Sequence, residues 1–217
     1  MSNRKSIQFL AVLTMVGAIL ALVLSLYSFP PRIDHRLHTA IGEALALEAL
    51  RLAGSGQKIT IITRDTEAFP QPALSTVLDR LRKEVRHAGR PDPAVQFVQA
   101  DPLRPAQVPP GDLLELLRRS PAGSVIVSLL GPPTLRAEMR VNPAAVKAKI
   151  VAFCPLENDT SANLNELFAP GLLQAAVVQR HNPQTETGKP AKGARAFEQL
   201  YRVVKAGEVS SAPAGPP

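Results

Sequence analysis

The sequence predicts an α/β protein: a single three-layer domain on a mostly parallel sheet of about five strands, preceded by one N-terminal transmembrane helix. Three observations predict it. Short β-branched runs such as KITIIT and SVIVSLL recur along the chain, and such runs read as buried strands. Stretches with an apolar stripe at helical spacing alternate with them, which implies βαβ units and a parallel sheet. Ahead of both, Ile7–Phe29 carries no charged side chain.

That first span sets the context for everything after it. Its polar side chains are Gln8, Thr14, Ser25, Ser28 and Tyr27. A helix of about 20 apolar residues matches the hydrocarbon thickness of a bilayer, and in lipid a lone segment must satisfy its backbone as a helix. Arg4 and Lys5 precede the span with no acid among residues 1–6, so the N-terminus is expected in the cytoplasm and the domain outside. Arg32 and Arg36, with only Asp34 between them, weigh against that orientation. A cleaved signal peptide has an apolar core of about 7–15 residues and a small-x-small exit. The nearest such exit here, Val23-Leu24-Ser25, lies inside the span, so an uncleaved anchor is expected. The lipid bilayer is then a partner through Ile7–Phe29, and the protein is single-pass with a periplasmic or extracellular domain.

Pro30-Pro31 ends the span. Residues 30–56 form a connecting helix, with Leu37, Ile41 and Leu45 recurring every four residues to give one buried face. The α/β domain is expected over 57–206. Its first strand is Lys58–Thr63, with Arg64, Asp65 and Thr66 at the exit. A helix from Pro72 to about His87 carries the stripe Leu74, Val77, Leu78, Leu81 and Val85, with proline at its first turn. Val95–Gln99 is a second strand. Asp112 with Glu115 has capping-box spacing ahead of a leucine-rich helix. Ser124–Leu130, Lys149–Phe153 and Leu173–Val178 are the remaining strands. Leu135–Val146 is helical around a break at Asn142-Pro143, and Asn163 with Glu166 caps a short helix to Phe168. Ala194–Lys205 is helical, or in part an edge strand over Tyr201–Val204. Residues 207–217 form a disordered tail.

Composition narrows the function. The chain has 217 residues, 45% of them hydrophobic and 20% charged, enough for one domain with a substantial core. Aromatics reach only 4% with no Trp, which weakens carbohydrate or base stacking, since both lean on aromatic platforms. The net charge of +7 serves solubility, or draws the domain to anionic surfaces. Nucleic acid is not expected as a partner of an exported domain. The single cysteine, Cys154, excludes an intrachain disulfide and a Cys-rich zinc site. No cofactor is expected. Gly54-Ser55-Gly56 precedes a strand, whereas a dinucleotide loop follows one, and Gly188-Lys189-Pro190 lacks the flanking residues of a P-loop. No metal site is expected either, for no His–Glu cluster has zincin spacing.

The run GQKITIITRDTEAFPQPALSTVLDRLRKE, Gly56 to Glu84, followed by SVIVSLLGPPT, resembles the first lobe of a periplasmic solute-binding protein. Such lobes open with a strand, an acidic exit and a helix, and later carry a strand ending in a Gly-Pro turn. The resemblance covers Gly56 to about Thr134 and implies a ligand-binding α/β lobe. Proteins of that family have two lobes, and this chain has length for one. The inter-lobe cleft does not carry over, and neither do its binding residues.

Open α/β sheets bind ligands outside the carboxyl ends of their strands. The ligand-binding candidates are therefore Arg64, Asp65, Thr66, Asp101, Arg180 and His181. Strand exits are also polar simply because loops are wet. The arginines suit a small carboxylate or phosphate, unless Asp65 and Asp101 neutralise them in structural ion pairs. No catalytic residue is assigned. Cys154 follows a strand, but Pro155 has no N–H to serve as an oxyanion donor, so a buried structural thiol is expected. The sequence points to a membrane-anchored extracytoplasmic domain with a non-catalytic sensing, ligand-binding or protein-interaction role. The alternative is a membrane-tethered enzyme that uses the polar strand exits.

Overall fold

The computed structural model of the protein describes residues 12–23, 33–65, 70–98, 108–132, 147–155, 164, 166–169, 171–180 and 193–206. The chain forms two compact units, Met1–Ile33 and Asp34–Pro217.

In the first unit, residues 12–23 are helical (α1). Apolar side chains on every side of α1 are exposed, among them Met15, Leu20 and Leu22. The remainder of the predicted span lies outside the described residues. Among the described residues no helix is long and apolar enough to cross a membrane.

The second unit is one six-stranded sheet with helices on both faces. Its strands are β1 (Ile59–Arg64), β2 (Ala94–Val98), β3 (Val125–Ser128), β4 (Lys149–Cys154), β5 (Leu173–Gln179) and β6 (Tyr201–Lys205). The order is β2-β1-β3-β4-β5-β6. The first five are parallel, and β6 pairs antiparallel with β5. The helices are α2 (His35–Leu52), α3 (Pro72–His87), α4 (Pro110–Arg119), α5 (helical at residues 164 and 166–168) and α6 (Ala194–Leu200). The mostly parallel α/β sheet is thus as predicted, with the sixth strand at its edge.

The pleat sorts side chains to opposite faces, and each face has its own core. Ile59 and Ile61 of β1, with Val125, Val127, Val151 and Val177, pack under α2 and α3. Ile62, Ile126, Ile150 and Ala176 pack under α4 and α5. α2 lies close against α3 because Gly42 has no side chain. A β-carbon there would sit 2.7 Å from the Val77 carbonyl oxygen and 2.9 Å from Arg80 Cβ. α4 departs from expectation at its start. Its N-cap is Pro109, with no side-chain cap, and Asp112 sits inside the first turn. There the Asp112 carboxylate complements the positive end of the helix dipole, while Glu115 pairs with Arg119 along the helix. The predicted helices over 135–146 and the tail 207–217 lie outside the described residues.

A buried carboxylate ties α2 to the far strand. Glu48 is 4% exposed; it accepts from Lys205 Nζ at 3.0 Å and from Arg51 Nε at 2.8 Å. Burial pushes its pKa up, but the bonds from Lys205 and Arg51 outweigh that, so the net shift is downward. A carboxylate with a depressed folded pKa adds stability above its unfolded value, and loses it as pH falls through the folded one. Glu48→Gln should therefore melt lower at pH 7, by about 1 kcal/mol given the half-exposed cations. The gap to the wild type should close below about pH 4. A gap that stays constant from pH 7 to pH 3 would show that the charge on Glu48 contributes nothing.

Candidate functional site

The strand order creates a switch point. The chain passes from β1 out to β2 and then back across to β3, and the two helices on that path, α3 after β1 and α4 after β2, lie on opposite faces. In this strand order the crevice at the carboxyl ends of β1 and β3 is the place where ligands bind. The side chains there follow from the pleat. Arg64 closes β1 and shares a face with Ile62, the face covered by α4. Thr63 points to the opposite face, with Ile61.

Arg64 is 9% exposed, and its Nη2 is buried with no hydrogen-bond partner among the described residues. Thr63 is fully buried, and its Oγ1 likewise has no partner among the described residues. Buried polar groups are nearly always bonded, and leaving one unsatisfied costs about 1–3 kcal/mol, more when it is charged. Two such atoms on adjacent residues mark the end of β1 as the least satisfied place in the described sheet.

The exit of β3 is built as a tight turn. Ser128 Oγ donates to the Gly131 carbonyl oxygen at 2.7 Å. Gly131 has φ +92°, a conformation that glycine adopts without steric cost. Ile62 pairs with Ser128, the last residue of β3, and the chain bends directly after it at Leu129 and Leu130. Gly131 is itself buried, yet among the described residues no heavy atom lies within 4 Å of where its β-carbon would be.

The other predicted residues fall elsewhere. Asp65 is exposed. Arg180 is exposed and is used by the fold: its Nε donates to the Tyr201 carbonyl at 3.1 Å and its backbone N–H to Leu200 at 2.8 Å. Both bonds fasten the α6–β6 junction to the end of β5. Arg180 also stands three strands from Arg64, roughly 14 Å at ordinary strand spacing. The structure does not bring these two arginines together on one small ligand. Thr66, Asp101 and His181 lie outside the described residues.

Cys154 ends β4 on the same face as Arg64. It is 1% exposed, and burial pushes its thiol up to about 12. It stays protonated at neutral pH and is no nucleophile there, since the thiolate is the reactive form. Tyr201, Phe153 and Phe197 form an aromatic cluster with ring centroids 5.9 and 6.1 Å apart. It packs β6 and α6 onto the opposite face of the sheet. Gly131 is at a strand exit legible in the sequence, whereas Ser128 and Thr63 lie inside strands and carry no such signal. The neighbouring of β1 and β3 is what singles out Ser128 and Thr63.

No protein-family model matches the chain, and no curated protein matches it. Solved structures do. The chain is similar to a mutant XylFII–LytSN complex, with TM-score 0.44 and 14% identity over 79% of this chain and 61% of that one. It is similar to a carbohydrate-transporter solute-binding protein from Agrobacterium radiobacter in complex with D-arabinose, with TM-score 0.45 and 13% identity over 82% and 61%. A protein from Mycobacterium smegmatis matches with TM-score 0.45 and 13% identity over 82% and 60%. The chain thus spans less than two thirds of the length of each of these structures. The resemblance to solute-binding proteins carried by Gly56–Thr134 is met again in these matches; at this identity and TM-score it says nothing about ligand or partner.

Proposed function

We propose that the protein is a membrane-tethered, extracytoplasmic α/β domain that binds a small anionic ligand at the carboxyl edge of its sheet, with Arg64 as the principal contact and no catalysis of its own. One observation carries the reading: a buried guanidinium nitrogen at the β1/β3 switch point that has no partner among the described residues. A buried charge is ordinarily paired, because removing it from water costs several kcal/mol. An oxyanion would supply the missing partner through parallel N–H donors. The tether is supported by the uncharged span Ile7–Phe29 behind Arg4 and Lys5, and by the apolar side chains exposed all round α1. A helix apolar on every side belongs in a core or in lipid.

Calorimetry on the detergent-solubilised full chain, with phosphate and small carboxylates, tests the site. Wild type should release or absorb heat on at least one anion, and Arg64→Met should bind it more than tenfold more weakly, since a charged hydrogen-bonded contact is worth about 1.5–3 kcal/mol. Equal affinity in the two proteins would place the site elsewhere.

A further inference from the structure

We propose that β2 is a self-association edge, on which a second copy of this chain adds its own β2 in antiparallel register, whether or not an anion binds at Arg64. The sheet has two edges, β2 and β6. Alternate residues of an edge strand turn both their N–H and C=O groups away from the sheet, which makes a template for a further strand. β6 carries Arg202 and Lys205 among its five residues, and charged side chains guard an edge against such pairing. β2, with the sequence AVQFV, carries no charge. Among the described residues no strand pairs with its outer rim. Its side chains add an apolar group at that rim. Val95 pairs with Ile61 and Phe97 with Thr63, so both face the side covered by α2 and α3. Val95 packs against that core, whereas Phe97 is 57% exposed. Among the described residues of Asp34–Pro217 the other exposed large apolar side chain is Leu47. It sits on α2 with exposed Glu43 and Arg51 one turn to either side, a lone apolar group on a solvated stripe. Phe97 instead stands on an edge strand.

The sequence of the strand suits it to its own copy. Read against itself in reverse about Gln96, AVQFV places Phe97 of each copy opposite Val95 of the other, Val98 opposite Ala94, and Gln96 opposite Gln96. An aromatic side chain thus meets a β-branched one twice on the face covered by α2 and α3, a favourable cross-strand pair. On the other face the two Gln96 amides, each donor and acceptor, meet at the twofold axis. No like charges oppose each other. The acid nearest the strand, Asp92, is already paired with Arg82 and Arg86. Pro93 stands immediately before β2 and has no N–H, so the shared ladder ends there. A twofold contact of this kind uses the same patch on both copies and closes at two, so it does not propagate into a fibre.

The test uses the detergent-solubilised full chain. Gln96→Cys should give a disulfide-linked dimer under mild oxidation, because directly opposite residues of an antiparallel pair have Cα atoms about 4.5–5.5 Å apart, within disulfide reach. Cys154 is 1% exposed and adds no background. Leu47→Cys, exposed on α2, should cross-link only at the slow rate of random collision. Phe97→Lys should weaken the dimer by about tenfold or more in sedimentation equilibrium, since both Phe97–Val95 pairs are lost, and should abolish the cross-link through Gln96→Cys. Its melting curve should match that of the wild type, because Phe97 lies outside both cores. Should Phe97→Lys melt early, Gln96→Cys against Leu47→Cys still decides. Cross-linking of Gln96→Cys no faster than that of Leu47→Cys overturns the proposal, as does a wild-type chain that sediments as a monomer at micromolar concentration. A dimer that survives Phe97→Lys and is not cross-linked through Gln96→Cys is held elsewhere, and the β2 edge falls as the contact.

Discussion

Val127→Asp is expected to leave the domain without a cooperative melting transition at pH 7. Val127 is fully buried in β3 and is paired across the sheet with Ile61 and Val151, both also fully buried. The new carboxylate would sit between two parallel neighbours with α2 and α3 above it, among the buried apolar side chains of that face. Ionised, it carries the full cost of an unpaired buried charge; neutral, it still lacks a hydrogen-bond partner, at about 1–3 kcal/mol. The lost burial of the valine adds about 1.5–2 kcal/mol. These terms together reach the 5–15 kcal/mol that holds a typical domain folded. The charged form is the worse of the two, so the folded pKa of this aspartate would be raised and the deficit would shrink as pH falls toward its unfolded value. Circular dichroism melts at pH 7 and pH 4 check this. An unaltered wild-type melting curve at pH 7 would remove β3 from the centre of the sheet.

The elements of that sheet were legible because their signals are local. KITIIT became β1 shifted by one residue, so that Arg64 is the last residue of the strand and not the first of the loop. The stripe Val77, Leu78, Leu81 and Val85 is the buried face of α3. The two readings of Ala194–Lys205 are both realised in succession, a helix to Leu200 and then an edge strand from Tyr201. Strand order was not legible, because it is decided by packing between segments far apart in sequence, and periodicity carries no record of that. The site depended on it. Arg64 and Arg180 look equivalent as arginines at strand ends, yet one is buried at the β1/β3 switch point with its Nη2 unpartnered among the described residues, and the other is exposed and bonded to the backbone of Tyr201. The Asp112–Glu115 spacing misled for a related reason. Two prolines set the start of α4 earlier than the acid, and Glu115 found Arg119 instead.

Arg64→Met is expected to make the domain more stable in the absence of ligand, while removing anion binding. The sign of the stability change separates a site residue from a structural one. Were Arg64 the partner of a buried carboxylate, its removal would strand that charge and cost about 3–5 kcal/mol. Among the described residues its Nη2 has no such partner, so the desolvation of that nitrogen is not offset within the described fold. Methionine is close in length, unbranched and able to fill an irregular gap, and it would join Ile62 and Val98 on the α4 side of the sheet. Replacing buried ionic groups by apolar ones of similar volume often gains about 1–4 kcal/mol, and for a domain of this size each kcal/mol is about 2–4 °C in melting temperature. A saturating anion should bring the wild type up toward the variant, because binding to the folded state alone adds stability in proportion to the logarithm of ligand concentration. Arg64→Lys completes the comparison: it keeps the charge but loses the paired donors, so it should stay below Arg64→Met in stability and below wild type in affinity. A variant that melts lower than wild type in ligand-free buffer would mean that the guanidinium is held by the fold, and the case for Arg64 as the ligand's partner would be lost.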